Sequence, residues 1–294
     1  MPRDATLVTG VKRDIALLRR VPLLSDADVT VLDVSLDQNR EPLLALLQCG
    51  ARLEYFDHHF AGDIPRHAGL RCHIETAGDV CTSILVDQHL AGAHRLWAVV
   101  GAFGDNLDDA ARQLATTHGL NAAQTNALRE LGECLNYNAY VDVEADLVVH
   151  PAALHSLLRP HRDPFGVMDA EPVLRELRET RRADLAQAGG LHPQVSLPGG
   201  QVFILPDTPW SRRVRGAWGN QLAQASPGRA HAILAPNGQG AYVVSVRAPV
   251  SRMRGADALC RQFATGGGRA GAAGINHLAQ KDLAAFIEAF GGAF

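Results

Sequence analysis

The chain has 294 residues, of which 47% are hydrophobic and 20% charged, with a formal net charge of −3. That length holds two cores, the composition is that of an ordinary globular protein, and so small a charge excludes bulk attraction to nucleic acid or membrane as an organising force. No apolar run approaches the roughly 20 residues that cross a bilayer, and the first ten residues lack a basic-then-apolar leader. The five cysteines (Cys49, Cys72, Cys81, Cys134, Cys260) have no C-x-x-C spacing, which argues against a disulfide framework and a zinc site. The expected compartment is the cytoplasm.

In chain order, Ala5–Val8 reads as a strand and Lys12–Arg20 as a helix ending before Pro22. Val29–Val34 is an apolar strand, Glu41–Gln48 a helix closed by Gly50, and Arg52–Phe56 a third strand. Alternation with continuous apolar strands predicts an α/β unit, a parallel sheet with flanking helices. From Asp79 to Tyr140 the spacing turns helical, with helices over Asp79–Leu90 and Asn121–Asn138. Residues 141–170 are looser and carry Pro151, Pro160 and Pro164. A charged helix over Glu171–Gln187 reads as a solvated face and stops at Gly189-Gly190. Beyond it come a strand at Gln201–Leu205, a helix at Arg213–Ala225, and strands at Ala230–Ala235 and Ala241–Arg247. Asn237-Gly238 between them signals a hairpin, because both residue types tolerate positive φ. Helices at Gly255–Phe263 and Gln280–Phe290 flank a glycine-rich loop.

The strongest chemical signal is Tyr55-Phe56-Asp57-His58-His59-Phe60 at a strand end, where open α/β sheets place their ligand sites. The neighbouring strand ends in Asp33, and a third acid follows in Gly101-Ala102-Phe103-Gly104-Asp105. Strand-end acids beside paired imidazoles make a mixed oxygen–nitrogen site for a hard divalent ion such as Mn²⁺. Alone, each reads as a turn, a cap or a surface group; the order D … D-H-H … G-D-N argues against that reading. His67, His73, His89 and the other histidines have no motif context and read as structural or surface residues. Near the C-terminus, Gly266, Gly267 and Gly268 would let backbone amides approach phosphate oxygens as a nest ahead of a helix. An isolated glycine triplet reads as a flexible turn, but Arg247 on the preceding strand end supplies a phosphate-binding guanidinium.

These motifs resemble the DHH/DHHA1 phosphoesterase superfamily, the first named for its Asp-His-His element. Gly266-Gly267-Gly268-Arg269-Ala270-Gly271-Ala272-Ala273-Gly274 is similar to its G-G-G-H-x-x-A-A-G signature, and Val244-Ser245-Val246-Arg247 to its S-x-R strand end. The resemblance implies a DHH domain over residues 1–165, a helical connector over 166–194, and a smaller α/β DHHA1 domain over 195–294. It further implies Asp33 bridging two Mn²⁺ ions (with Mg²⁺ as an alternative), and His58 and Asp105 on the second ion. His59 would face the substrate phosphate, Asp57 would orient the histidines, and Ser245, Arg247, Gly266, Gly267, Gly268 and Arg269 would bind substrate. Arg269 stands where the family has a histidine, so that position keeps a phosphate donor but does not titrate near neutral pH.

Such proteins normally open with a strand ending in D-x-D, and nothing before Asp33 fits; Asp26-Ala27-Asp28 has the spacing but enters its strand at the wrong end of the sheet. The expectation is a reading frame that continues upstream of Met1 with that strand, the chain as given being nearly inactive. The implied activity is Mn²⁺-dependent hydrolysis of phosphodiester or phosphomonoester bonds in short oligonucleotides or nucleotides. A degenerate nucleotide- or RNA-binding protein is the rival. A pyrophosphatase sharing the DHH domain is disfavoured by the G-G-G-R and S-V-R elements. No membrane partner is expected, and a homodimer is compatible with the sequence.

Overall fold

The computed structural model describes residues 5–294 apart from Arg13 and Asp142. The chain is mixed α/β and divides into two compact units. One runs to Ala139 and includes Leu147–Leu177; the other comprises Tyr140–Asp146 and Arg178–Phe294.

The first unit is built on a three-stranded parallel sheet, β1 (Asp28–Leu32), β2 (Arg52–Asp57) and β3 (Leu70–Ile74), in that spatial order. Between β1 and β2 runs α1 (Arg40–Gln48), whose buried Leu43, Leu46 and Leu47 recur at helical spacing and pack with Val31, Leu53 and Tyr55. The other sheet face carries Phe56 and is met by α2 (Thr82–His89), whose His89 ring touches Phe56 edge-on. Helices α3 (Arg95–Gly104), α4 (Asp108–Thr117) and α5 (Ala122–Ala139) follow, and α6 (Pro151–Leu158) and α7 (Val167–Ala170) lie in the stretch that reads as loose in sequence.

Two N-terminal expectations fail. Ala5–Val8 forms no strand and finds no strand partner among the described residues. Of the helix expected over Lys12–Arg20, one 3₁₀ turn at Leu17–Arg20 forms. The buried Asn39 side chain explains this: its amide donates to the carbonyls of Ile15 (2.6 Å) and Ser35 (2.9 Å), and its oxygen accepts from the Leu18 amide at 3.2 Å. Those two groups of Ile15 and Leu18 would otherwise serve the helix ladder.

The boundary between units falls within α8 (Pro172–Gly189). Its charge run is not wholly solvated. Asp184 is buried and paired with Arg213 at 2.8 Å, so one acid of that helix is an internal partner.

The second unit carries a six-stranded sheet: β4 (Val195–Ser196), β5 (Gly200–Ile204), β6 (Ala230–Pro236), β7 (Ala241–Arg247), β8 (Gly266–Gly268) and β9 (Ala272–Ala279). Their order is β4-β5-β6-β7-β9-β8, with only β5–β6 parallel. On one face α9 (Pro209–Ala225) sets Trp218 against Phe203. On the other, α10 (Ala256–Cys260) and α11 (Leu283–Ala293) pack Leu259, Phe286 and Phe290 onto Val202, Leu234, Val244 and Val246. In the β6–β7 hairpin Gly238 and Gly240, not Asn237, take positive φ. Asn237 acts through its side chain, accepting from the amides of Gln239 and Ala241.

The glycine triplet is not a loop ahead of a helix. It is the edge strand β8, paired antiparallel with β9, and the segment after it is a strand. The helix-terminus argument for phosphate binding therefore does not apply there. A side chain on Gly266 would collide with the Cys260 carbonyl at the end of α10, and Gly268 has φ +136°, so close packing and conformation account for two of the three glycines.

Candidate metal centre

Asp33 is the first residue beyond β1 and takes φ +60°, a left-handed conformation that Asp tolerates better than most residues. The next strand holds this turn on both sides. The Asp33 amide donates to the Phe56 carbonyl at 3.0 Å, and the buried Tyr55 hydroxyl donates to the Val34 carbonyl at 2.6 Å. The Asp33 carboxylate accepts from the Thr82 hydroxyl at 2.8 Å, from the first residue of α2. Its side chain is 58% exposed, which leaves it open to an incoming ligand.

His58 follows the last residue of β2, and its side chain is only 3% exposed. Its Nδ1 lies 2.8 Å from the Val80 carbonyl. A carbonyl only accepts, so Nδ1 donates that bond and Nε2 is the ring nitrogen left for other partners. Nε2 faces two carboxylates, Asp33 Oδ1 at 3.4 Å and Asp105 Oδ2 at 3.6 Å. Fixing the far imidazole nitrogen by a carbonyl is how metal-ligating histidines are usually oriented.

Asp105 caps the C-terminus of α3 and is placed by two close helix contacts. Gly101 lets α3 lie against Ser83 of α2, and Gly132 lets α5 lie against Val100 and Gly104. A cavity of about 380 Å³ opens beside Asp33 and Asp105, walled by Thr82, Val86, Trp97 and Ala98.

Asp57 and His59 form a separate pair beside this cluster. His59 Nδ1 donates to the fully buried Asp57 carboxylate at 2.7 Å, and that bond raises the His59 pKa above its ordinary 6.5 while burial opposes it. Asp57 therefore orients His59, and the Val80 carbonyl, not Asp57, orients His58. The two imidazoles meet edge to face at 4.7 Å between centroids. Donor atoms of Asp33, His58 and His59 all lie within 4.8 Å of one another.

No protein-family profile matches the chain, and no curated protein matches it in sequence. A solved structure does. The fold is similar to that of the pGpG-specific phosphodiesterase PggH from Vibrio cholerae, at 11% identity and a TM-score of 0.44, over 90% of this chain and 97% of that one. A likeness at that level carries no information about residues or substrate.

In the second unit the strand register sets Ser245, Gly274 and Gly267 in one row across β7, β9 and β8. Ser245 and Arg247 are half-buried, and Arg269 is exposed in the tight β8–β9 turn, where its amide donates to the Ala272 carbonyl at 2.9 Å. Arg247 is already engaged: its Nε donates to Asn220 Oδ1 at 2.7 Å, and its terminal nitrogens reach the Val246 and Gly216 carbonyls. Burial pushes its pKa below the ordinary value, with Tyr140 opposing.

Sequence reasoning missed Thr82 and Val80. The Thr82-Ser83 pair opening a helix was a readable cue to a capping position, but a bond to a residue 49 positions away was not. The Val80 carbonyl left no trace in residue identity.

Proposed function

We propose that this chain hydrolyses phosphodiester or phosphomonoester bonds in short oligonucleotides or nucleotides with a divalent ion, Mn²⁺ by preference. The observation that carries the reading is His58 Nε2 held between two carboxylates by a bond at its other nitrogen. Ligands on one ion at roughly 2.1 Å stand about 3–3.5 Å apart, and the two separations measured from His58 Nε2, 3.4 Å to Asp33 and 3.6 Å to Asp105, are close to that. Asp33, His58 and Asp105 would hold the ion. Once bound, it would polarise a phosphoryl oxygen and lower the pKa of a coordinated water.

The chain's own residues do the rest. Thr82 fixes the rotamer of Asp33. With Nδ1 committed to Asp57, His59 keeps Nε2 for the substrate, and the carboxylate behind it holds a proton there to higher pH than a free imidazole would. A protonated Nε2 attracts a phosphate oxygen and can pass its proton to a leaving oxygen. In the second unit the exposed Arg269 guanidinium is a donor open to a phosphate, while the Gly267 backbone is paired with Gly274 in the sheet. Arg247 supports that strand end from within.

The test uses short RNAs down to dinucleotides, cyclic dinucleotides and 3′-phosphoadenosine phosphate with Mn²⁺. His58→Ala and Asp105→Ala should each abolish turnover without loss of fold. Either variant retaining more than about a tenth of the parent kcat at saturating Mn²⁺ would show the assigned roles to be wrong.

A further inference from the structure

A second set of ligand-type side chains converges on the Phe56 face of the first unit's sheet. Glu54 lies within β2, His73 within β3, and His89 is the last residue of α2. Both imidazoles turn their Nε2 toward the same oxygen, Glu54 Oε1, at 3.2 Å from His73 and 3.8 Å from His89. Donor atoms of the three residues all lie within 4.8 Å of one another.

The rings are fixed by packing. Phe56 is 4% exposed and stacks on His73, with centroids 4.4 Å apart and planes 11° from parallel. It meets His89 edge-on at 5.1 Å, and the two imidazoles meet at 4.8 Å and 66°. Neither ring swings away without breaking a contact with that buried aromatic. The three side chains are 34%, 34% and 41% exposed, so an ion reaches them from solvent.

We propose that Glu54, His73 and His89 form a second metal site that takes a zinc-class divalent transition ion, with water completing the shell. Two imidazoles and one carboxylate suit such an ion better than Mg²⁺ or Ca²⁺, which favour all-oxygen shells. A tetrahedron with bonds of about 2.1 Å has edges of about 3.4 Å, and the two measured separations straddle that value. A Glu54–His73 hydrogen bond alone would account for one imidazole. It leaves unexplained a second ring nitrogen aimed at the same oxygen. Cysteine spacing argued against a zinc site in sequence, but these ligands come from three elements and have no sequence spacing to read.

The position gives the ion its role. Four steps along the chain lead from Glu54 in β2 to His58 just past its end, roughly 13 Å of extended backbone. Helix α2 spans the same interval, beginning at Thr82 on Asp33 and ending at His89. An ion at its C-terminal end ties α2 to β2 and β3, and so steadies the helix that presents Thr82 to Asp33. The site is a structural staple.

Zn²⁺ alone is the probe, followed by equilibrium dialysis, with Co²⁺ absorption reporting the ligand field. Asp33→Asn with His58→Ala in the full chain silences the first cluster. That protein should bind one Zn²⁺ and melt at a higher temperature with it. Adding His89→Gln, a half-exposed helix-end change that spares the fold, or His73→Ala should weaken Zn²⁺ binding at least 10-fold and remove the thermal shift. No zinc bound by the silenced protein, or zinc binding that survives loss of both histidines, would overturn the site; binding without a thermal shift would overturn the staple.

Discussion

Replacing Gly132 with Ala tests how tightly the α3–α5 crossing is built. A Cβ there would stand 2.9 Å from the Gly104 nitrogen and closer still to the Val100 carbonyl oxygen. Contacts to carbon settle near 3.5 Å, and both neighbours are backbone, so no rotamer change relieves the overlap and the helices must part by about 1 Å. Overpacking of this kind costs up to about 3 kcal/mol, and Ala returns about 1 kcal/mol of helix propensity over Gly, leaving a net loss near 2 kcal/mol. At a urea slope of about 2 kcal/mol per molar, the unfolding midpoint should fall by about 1 M. Because Gly104 immediately precedes Asp105, the displacement passes to that carboxylate. A misplacement of about 1 Å costs on the order of 100-fold in rate. Urea titration by circular dichroism and Mn²⁺-dependent turnover on the same preparation read both effects. Gly189→Ala, at the last residue of α8 with nothing within 4 Å, is the control; it should not destabilise the protein, and Ala's helix propensity should add at most about 1 kcal/mol. A Gly132→Ala protein as stable as the parent would refute the packing argument. A destabilised protein with unchanged turnover would refute the coupling to Asp105.

Thr82→Val removes the hydroxyl donor to Asp33 at constant shape and should weaken Mn²⁺ affinity or turnover about 10-fold with the circular dichroism spectrum unchanged; parental values would show that Asp33 needs no such support. Arg247→Ala should destabilise the protein by about 1–3 kcal/mol, because Asn220 and the Gly216 carbonyl lose a donor; an unmoved urea midpoint would mean those bonds are not structural. His231 is fully buried in β6, and burial, aided by Arg229, lowers its pKa below the ordinary 6.5. The unfolded chain therefore binds that proton more readily, so this contribution to stability is intact above about pH 6.5 and is lost as pH falls below it. His231→Leu should flatten the decline in stability between about pH 7 and pH 5 in chemical denaturation; a slope equal to the parent's would contradict the assignment.

What the sequence made legible depended on how strongly local pattern and final environment agreed. Ala241–Arg247 is a mostly apolar, β-branched run bounded by turn residues, and β7 occupies that span. The helix expected over Asn121–Asn138 is α5 displaced by one residue at each end. By contrast, β3 was missed because Leu70-Arg-Cys-His-Ile neither alternates nor runs continuously apolar, and its residues are mostly half-buried. The glycine triplet misled because glycine reads as loop, while here it serves the close approach of β8 to α10. At the candidate centre, the strand-end placement of Asp33 and His58 was readable from the apolar runs before them. The distances to Asp105 were not, since they depend on where α2 and α5 allow α3 to lie.

The shape of the larger sheet bears on how the molecule behaves in a crowded solution. Both of its outer strands are stubs: β4 has two residues and β8 has three, all of the latter glycine. An intruding chain needs a length of open ladder and a row of side chains to lock against, and neither border provides them. The six strands thus end in margins too short to recruit another molecule, with the exposed Arg269 guanidinium beside the glycine border, and both features guard this unit against fibre-like growth.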